Sequence, residues 1–123
     1  MKYFTVEEAN ALLPKLKPLL EKLLNRRARA SRLAQQNGHL THDYYSNVGS
    51  PELSTLMLDF VAIEQMIEQI QTYGVVLKDL NAGLLDFLSE RNGRDVYLCW
   101  KYGEEKVAYY HELHTGFAGR RQV

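Results

Sequence analysis

The feature that most constrains this chain is a change of period at Gly74. Before it, apolar residues recur every three or four positions; after it, they alternate or run in short blocks. The first pattern is that of amphipathic helices and the second that of short strands, so the fold class is α+β: a long antiparallel helical hairpin over about residues 5–73, packed with a small, mostly antiparallel sheet over about 74–123. The helical stripe begins with Ala9, Leu12, Leu13, Leu16, Leu19, Leu20, Leu23 and Leu24, just after Thr5-Val6-Glu7-Glu8, which reads as a capping box. Pro14 and Pro18 interrupt it. Each removes an amide donor and costs about 3 kcal/mol in a helix interior, which predicts a break or kink, with Pro14 able to open a new helix. A helix from Thr5 to Asn37 would span about 50 Å, and one starting at Pro14 about 36 Å; a globule of this size is roughly 35 Å across. The second helix, Pro51–Tyr73, starts from Ser50 as cap, and residues 38–50 join the two.

The second helix is apolar at Leu53, Leu56, Phe60, Ile63, Ile67 and Ile70, and Met57, Val61 and Met66 widen the stripe. One partner helix does not cover so broad a face, which predicts that the sheet or a second copy covers the rest; a homodimer through helix faces is expected. Beyond Gly74, Gly74–Leu77 and Gly83–Phe87 read as strands separated by an Asn81-Ala82-Gly83 turn, and Asn92-Gly93 is a hairpin turn. Asp95–Trp100 and Lys106–Leu113 alternate around Tyr102-Gly103-Glu104-Glu105. That alternation places Val96, Leu98 and Trp100 with Val107, Tyr109 and His111 on one face, and Tyr97, Cys99 and Lys101 with Tyr110 and Glu112 on the other.

With 123 residues the chain suits a single domain, 1–123. A fold of this mass buries about two-thirds of its surface, so neither disulfides nor a structural metal is required. Cys99 is the only cysteine, which suits a reducing compartment. No apolar run approaches the roughly 20 residues of a membrane helix, and MKYFTVEEAN lacks the apolar core of a signal peptide. A cytoplasmic protein without membrane partners is expected. Fifteen Lys and Arg balance fifteen Asp and Glu, so no net charge draws the chain to nucleic acid.

Charge is nonetheless segregated. Residues 14–37 hold seven basic residues, among them Arg26, Arg27, Arg29 and Arg32, against Glu21 alone. One reading is a nucleic-acid surface. The other is helix pairing, since residues 51–73 carry Glu52, Asp59, Glu64 and Glu68 and no base. Folding the hairpin sets Arg29 near Asp59, and Arg26 or Arg27 near Glu64. Pairing is favoured, because base-stacking aromatics are missing beside the arginines.

The candidate site lies in the second half. Asp79 and Asp86 sit inside apolar strand patterns, where Asp is depleted, so each requires a partner: His111 or a turn amide. Three readings stay open. His111 with Asp79 and Asp86 forms a His-plus-carboxylate set suited to a divalent metal as cofactor. His111 with Asp86 or Glu112 forms an acid–base pair, which would make a catalytic site. The plain alternative is a buried histidine whose ring an Asp fixes. His114 joins only if the strand has ended by then. Thr115–Arg121 can wrap an anion with Arg120 and Arg121, or be a segment pinned by burial of Phe117. His39 and His42, with Tyr44 and Tyr45, fall in the helix connection, where His-x-x-His is a candidate for adventitious metal. Cys99 reads as inert packing.

Two blocks carry a resemblance. YFTVEEANALLPKLKPLLEKL over residues 3–23, and GVVLKDLNAGLLDF, VYLCWKYGE and HELHTGFAGRR over 74–121, are similar to a family of small prokaryotic proteins catalogued as domain of unknown function 2203. The resemblance spans nearly the whole chain outside residues 30–55. Leu88 departs from a proline after Asp-Phe in the family pattern, and His114 from a frequent Asp. The resemblance implies a class and no chemistry; the matching positions to test are Asp79, Asp86, His111 and Arg120. The expected function is a binding or interaction module with a pocket formed by sheet and tail, drawing on Asp79, Asp86, His111, Glu112, His114 and Arg120. A metal-assisted enzyme using the His/Asp cluster is the alternative, and nucleic-acid binding through the first helix the second.

Overall fold

A computed structural model describes residues 2–36 and 50–123. Helix α1 spans Val6–Gln36 and helix α2 Pro51–Gln71; strands β1 (Val76–Asp79), β2 (Leu84–Arg91), β3 (Arg94–Lys101), β4 (Tyr109–Glu112) and β5 (Arg121–Gln122) follow. The chain is α+β, a helical hairpin followed by an antiparallel sheet in which every strand pairs with its neighbours in sequence. The stretch holding His39, His42, Tyr44 and Tyr45 lies outside the described residues.

The capping box forms as expected: the Glu8 amide donates to Thr5 Oγ1 at 3.0 Å, and the Thr5 amide to Glu8 Oε1 at 2.9 Å. The expected break at the prolines does not occur; α1 runs through Pro14 and Pro18. Both rings are exposed and four residues apart, on the side opposite buried Leu13, Leu16, Leu20 and Leu23. The carbonyls they deprive of donors therefore lie towards water, and the buried leucines, at about 1.5–3 kcal/mol each, outweigh the loss.

An unbroken helix of 31 residues is about 46 Å long. Its first half rests on the sheet: Asn10 exchanges two hydrogen bonds with the Val107 backbone, and Lys17 sits 5.9 Å from the centre of the Trp100 ring. Its second half lies along α2, where Arg26 Nε and Arg29 Nη2 reach Asp59 Oδ1 at 2.7 and 2.6 Å. Arg26 thus pairs with Asp59, not with Glu64. Asp59 is buried; burial pushes its carboxyl up, but the hydrogen bonds from Arg29 and Arg26 outweigh burial and hold it below the usual value. Ser50 caps α2 through the Leu53 amide at 3.1 Å. No helix among the described residues is long and apolar enough to cross a membrane.

The β2–β3 hairpin turns at Asn92 and Gly93, with φ of 53° and 76°, the left-handed pair that a two-residue turn of this kind needs. Leu85, Phe87, Leu98 and Trp100 face the helices and join Leu13, Leu16, Leu20 and Ile70 in the core. Phe4 closes one edge, its ring 5.3 Å from that of Phe87 and its amide bonded to the Leu88 carbonyl at 2.7 Å.

The register of β3 on β4 corrects one expectation. Tyr97 lies opposite His111 and Cys99 opposite Tyr109, one residue away from the alternation read from sequence. A slip of one residue moves every side chain of a strand to the other face. Tyr109 and His111 therefore stand with Tyr97 and Cys99 on the outer face, while Val107, in the irregular stretch before β4, still enters the core.

Candidate functional site

The outer face places Asp86 beside Cys99 across the β2–β3 ladder, and His111 one strand further. Their exposures are 1%, 1% and 2%. One ligand atom from each lies within 4.8 Å of the other two. They floor a cleft of about 430 Å³, whose walls are Lys78, Asp79 and Leu84 on one side and Leu113–Phe117 on the other.

The chain after β4 builds the second wall. The Thr115 amide and hydroxyl turn back to the Glu112 carbonyl at 3.2 and 3.3 Å. Further on, Arg120 Nη2 donates to Glu104 Oε1 and Oε2 at 2.7 and 2.8 Å. Its guanidinium lies over the rings of Tyr109 and Phe117, 4.1 and 4.7 Å from their centres. Glu104 also accepts the Lys101 amide at 2.7 Å, so one carboxylate ties the β3–β4 turn to the tail. The tail is held by Arg120 and by the pairing of β5 with β4 rather than by burial of Phe117, which is 43% exposed.

His111 fixes its own tautomer. Nδ1 lies 2.7 Å from the Glu112 carbonyl, which can only accept, so Nδ1 carries hydrogen. Nε2 then meets Asp86 Oδ2 at 3.1 Å. Two lone pairs cannot face each other at that distance. One proton lies between them, on the imidazole or on the carboxyl. Asp86 Oδ1 is buried and has no hydrogen-bond partner. Burial raises the Asp86 carboxyl, against the opposing effects of His111, Cys99 and Lys78. Burial and the adjacent Asp86 push the Cys99 thiol up to about 12. At neutral pH Cys99 is a thiol and not a nucleophile. Both nitrogens of His111 are already engaged, so no Cys–His–Asp relay exists.

The sequence-derived candidates divide accordingly. Asp86 and His111 meet. Asp79 lines the cleft, but its Oδ1 accepts the amides of Asn81 and Ala82 at 2.8 and 3.1 Å, so it caps a turn and stands outside the cluster. His114 lines the cleft from the tail. Glu112 turns away to Arg94 at 3.0 Å and contributes only its carbonyl. Arg120 braces the tail. Cys99 replaces Asp79 in the cluster; the correct β2–β3 register, countable from the Asn92-Gly93 turn, would have paired it with Asp86. Glu104 carried no comparable signal, because its role depends on the fold of a distant segment.

A second cleft of about 420 Å³ lies between the N-terminal segment and the end of β2. Its polar groups serve the fold: Tyr3 bonds Asp95, Glu8 caps α1 and Ser89 Oγ donates to the Phe4 carbonyl. The outer-face cleft, with an unanswered buried acceptor, is the better candidate.

The family model for uncharacterized conserved proteins of the DUF2203 type matches residues 2–123, and the chain belongs to that family. Neither the curated proteins nor the solved structures contain a match.

Proposed function

We propose that the protein is a small cytoplasmic binding module whose ligand enters the cleft between the outer sheet face and the tail. The observation that carries this reading is Asp86 Oδ1, a buried acceptor without a partner at the floor of that cleft. Such a group costs about 1–3 kcal/mol when left unmatched, and a ligand bearing a donor or a positive charge recovers it. The volume lies within the range of small-molecule sites, about 300–1,000 Å³. Location in the cytoplasm is supported by the free thiol of Cys99. Arg26 and Arg29 are engaged with Asp59, which leaves nucleic acid outside the proposal.

Amide NMR spectra recorded with a set of small amines, amidines and alcohols test this reading. Shifts confined to residues 78–79, 84–86, 99 and 111–117 are expected, and they vanish in Asp86→Ala, which removes the acceptor. Absence of shifts, or shifts spread over unrelated surfaces, overturns it. Acid–base catalysis by His111 and Asp86 is a second reading, favoured by the single proton between them.

The apolar face of α2 supports a homodimer. Met57, Leu58, Phe60 and Val61 are 48%, 66%, 47% and 51% exposed, uncovered by the sheet.

A further inference from the structure

We propose that Asp86, Cys99 and His111 form a three-ligand site for a borderline-soft divalent cation, with zinc as the preferred metal. The inference rests on the cleft reading above and names the chemistry of its occupant. Sequence spacing offered Asp79 as the third ligand; the register supplies a sulfur instead, and that changes which metal fits. Oxygen donors alone suit magnesium or calcium, whereas one imidazole, one thiolate and one carboxylate suit zinc.

Geometry supports the assignment first. Zinc holds nitrogen and oxygen ligands at about 2.0 Å, so two of them stand about 3.3 Å apart along a tetrahedral edge. His111 Nε2 and Asp86 Oδ2 are 3.1 Å apart. The Cys99 sulfur lies within 4.8 Å of a ring nitrogen of His111 and of a carboxylate oxygen of Asp86, against an edge of about 3.6 Å, so a small side-chain movement closes the triangle. The His111 ring is already oriented as a ligand: Nδ1–H donates to a main-chain carbonyl, which presents the Nε2 lone pair to the site. The three residues line the cleft, so a fourth position opens into it, as in sites that keep one place for water or a further ligand.

Charge supports it second. Without metal, Asp86 and His111 hold one proton between them and Cys99 keeps its own, so the cluster is neutral. Binding of M²⁺ displaces both protons and leaves carboxylate, imidazole and thiolate around the ion, again neutral. A buried site that is neutral in both states avoids the cost of an isolated interior charge. The cation exchanges for protons, and no redox step is involved. Lys78 is the opposing charge; it lines the same cleft, and its ammonium rests 5.1 Å from the centre of the Tyr97 ring.

Cobalt(II) titration of the untagged full chain, followed by displacement with zinc, tests the inference. Expected are saturation at one ion per chain, the intense visible bands of four-coordinate cobalt and a near-ultraviolet thiolate-to-cobalt band. Calorimetry in buffers of different ionisation enthalpy is expected to give release of two protons per zinc. These readouts need only the wild-type chain. Cys99→Ser abolishes the charge-transfer band, and His111→Gln weakens zinc binding by more than about 100-fold, beyond the loss of an outer-sphere partner. Lys78→Met tightens it a few-fold, which a merely structural cluster would not do. The double variant His39→Ala, His42→Ala leaves the spectrum unchanged. No saturation at a large molar excess, a spectrum without the thiolate band, or a band lost in that double variant overturns the proposal. If metal fails while amines still shift the cleft resonances, the metal inference alone falls; if both fail, the cleft reading falls with it.

Discussion

At Asp86 a single atom decides between two mutational outcomes. Asp86→Asn keeps an amide donor towards His111 Nε2 and removes an ionisable group from an interior that disfavours its charge. Asp86→Ala leaves the imidazole nitrogen unanswered. The expected result is a stability change within about 1 kcal/mol for Asn, and a loss of about 1–3 kcal/mol for Ala, measured by urea denaturation. Cys99 gives a pH-dependent counterpart. Its folded value, about 12, exceeds the ordinary thiol value of 9.0, so the unfolded chain loses this proton first. The contribution of the protonated thiol is complete below about pH 8.5 and is lost as pH rises towards the folded value, by about 1.4 kcal/mol per pH unit. Cys99→Ala is expected to flatten that alkaline slope, and the native thiol to react with iodoacetamide only once the chain is denatured. These residues also show how far sequence can be read. Asp86 and Asp79 stood out as carboxylates in apolar strands, and they take the two kinds of partner such residues require: an imidazole and turn amides. Cys99 did not stand out, because an apolar thiol is at home in any strand and acquires meaning only from its neighbour across the ladder.

At the scale of elements, Asp59 joins α1 to α2 asymmetrically. Its side chain is 1% exposed, whereas those of Arg26 and Arg29 are 32% and 55% exposed. Removing the acid leaves two arginines that water can solvate; removing both arginines leaves a carboxylate that water cannot reach. Asp59→Ala is therefore expected to cost about 1–2 kcal/mol, and the double variant Arg26→Ala, Arg29→Ala at least about 3 kcal/mol. Because its folded pKa is lowered, the stability that Asp59 confers is present above the unfolded value, near 3.8, and is lost as pH falls through the folded value. Asp59→Asn removes that part of the acid transition, which thermal melts between neutral and acid pH measure. Helix existence was legible from period and caps, whereas continuity through Pro14 and Pro18 was not. Proline chemistry is local, and the burial that overrides it is tertiary. The strand faces failed for a related reason. Alternation sets which residues share a face within β4, but the irregular chain between Tyr102 and Ala108 sets which face that is.

For the whole molecule, α1 exceeds the diameter of a sphere of this mass, so the helical hairpin is elongated rather than wrapped into a sphere with the sheet. The exposed Met57, Leu58, Phe60 and Val61 lie on the part of α2 that flanks Asp59, away from the strands. Self-association there is expected in light scattering at micromolar concentration. Phe60→Glu is expected to yield monomer with an unchanged circular dichroism spectrum, while a wild-type chain that is monomeric across the range removes the dimer from the proposal. The width of the apolar stripe foretold an uncovered face, but nothing in one chain's sequence says what lies against it.

A sheet in which each strand pairs only with its neighbours in sequence has short loops to close, and topology of that kind permits fast, stepwise assembly. Asp86 and Cys99 are brought together by the β2–β3 hairpin alone, and His111 arrives with β4. The imidazole is thus the one member of the cluster that depends on a second turn, and a change in the β3–β4 connection reaches His111 without touching the pair set inside the hairpin.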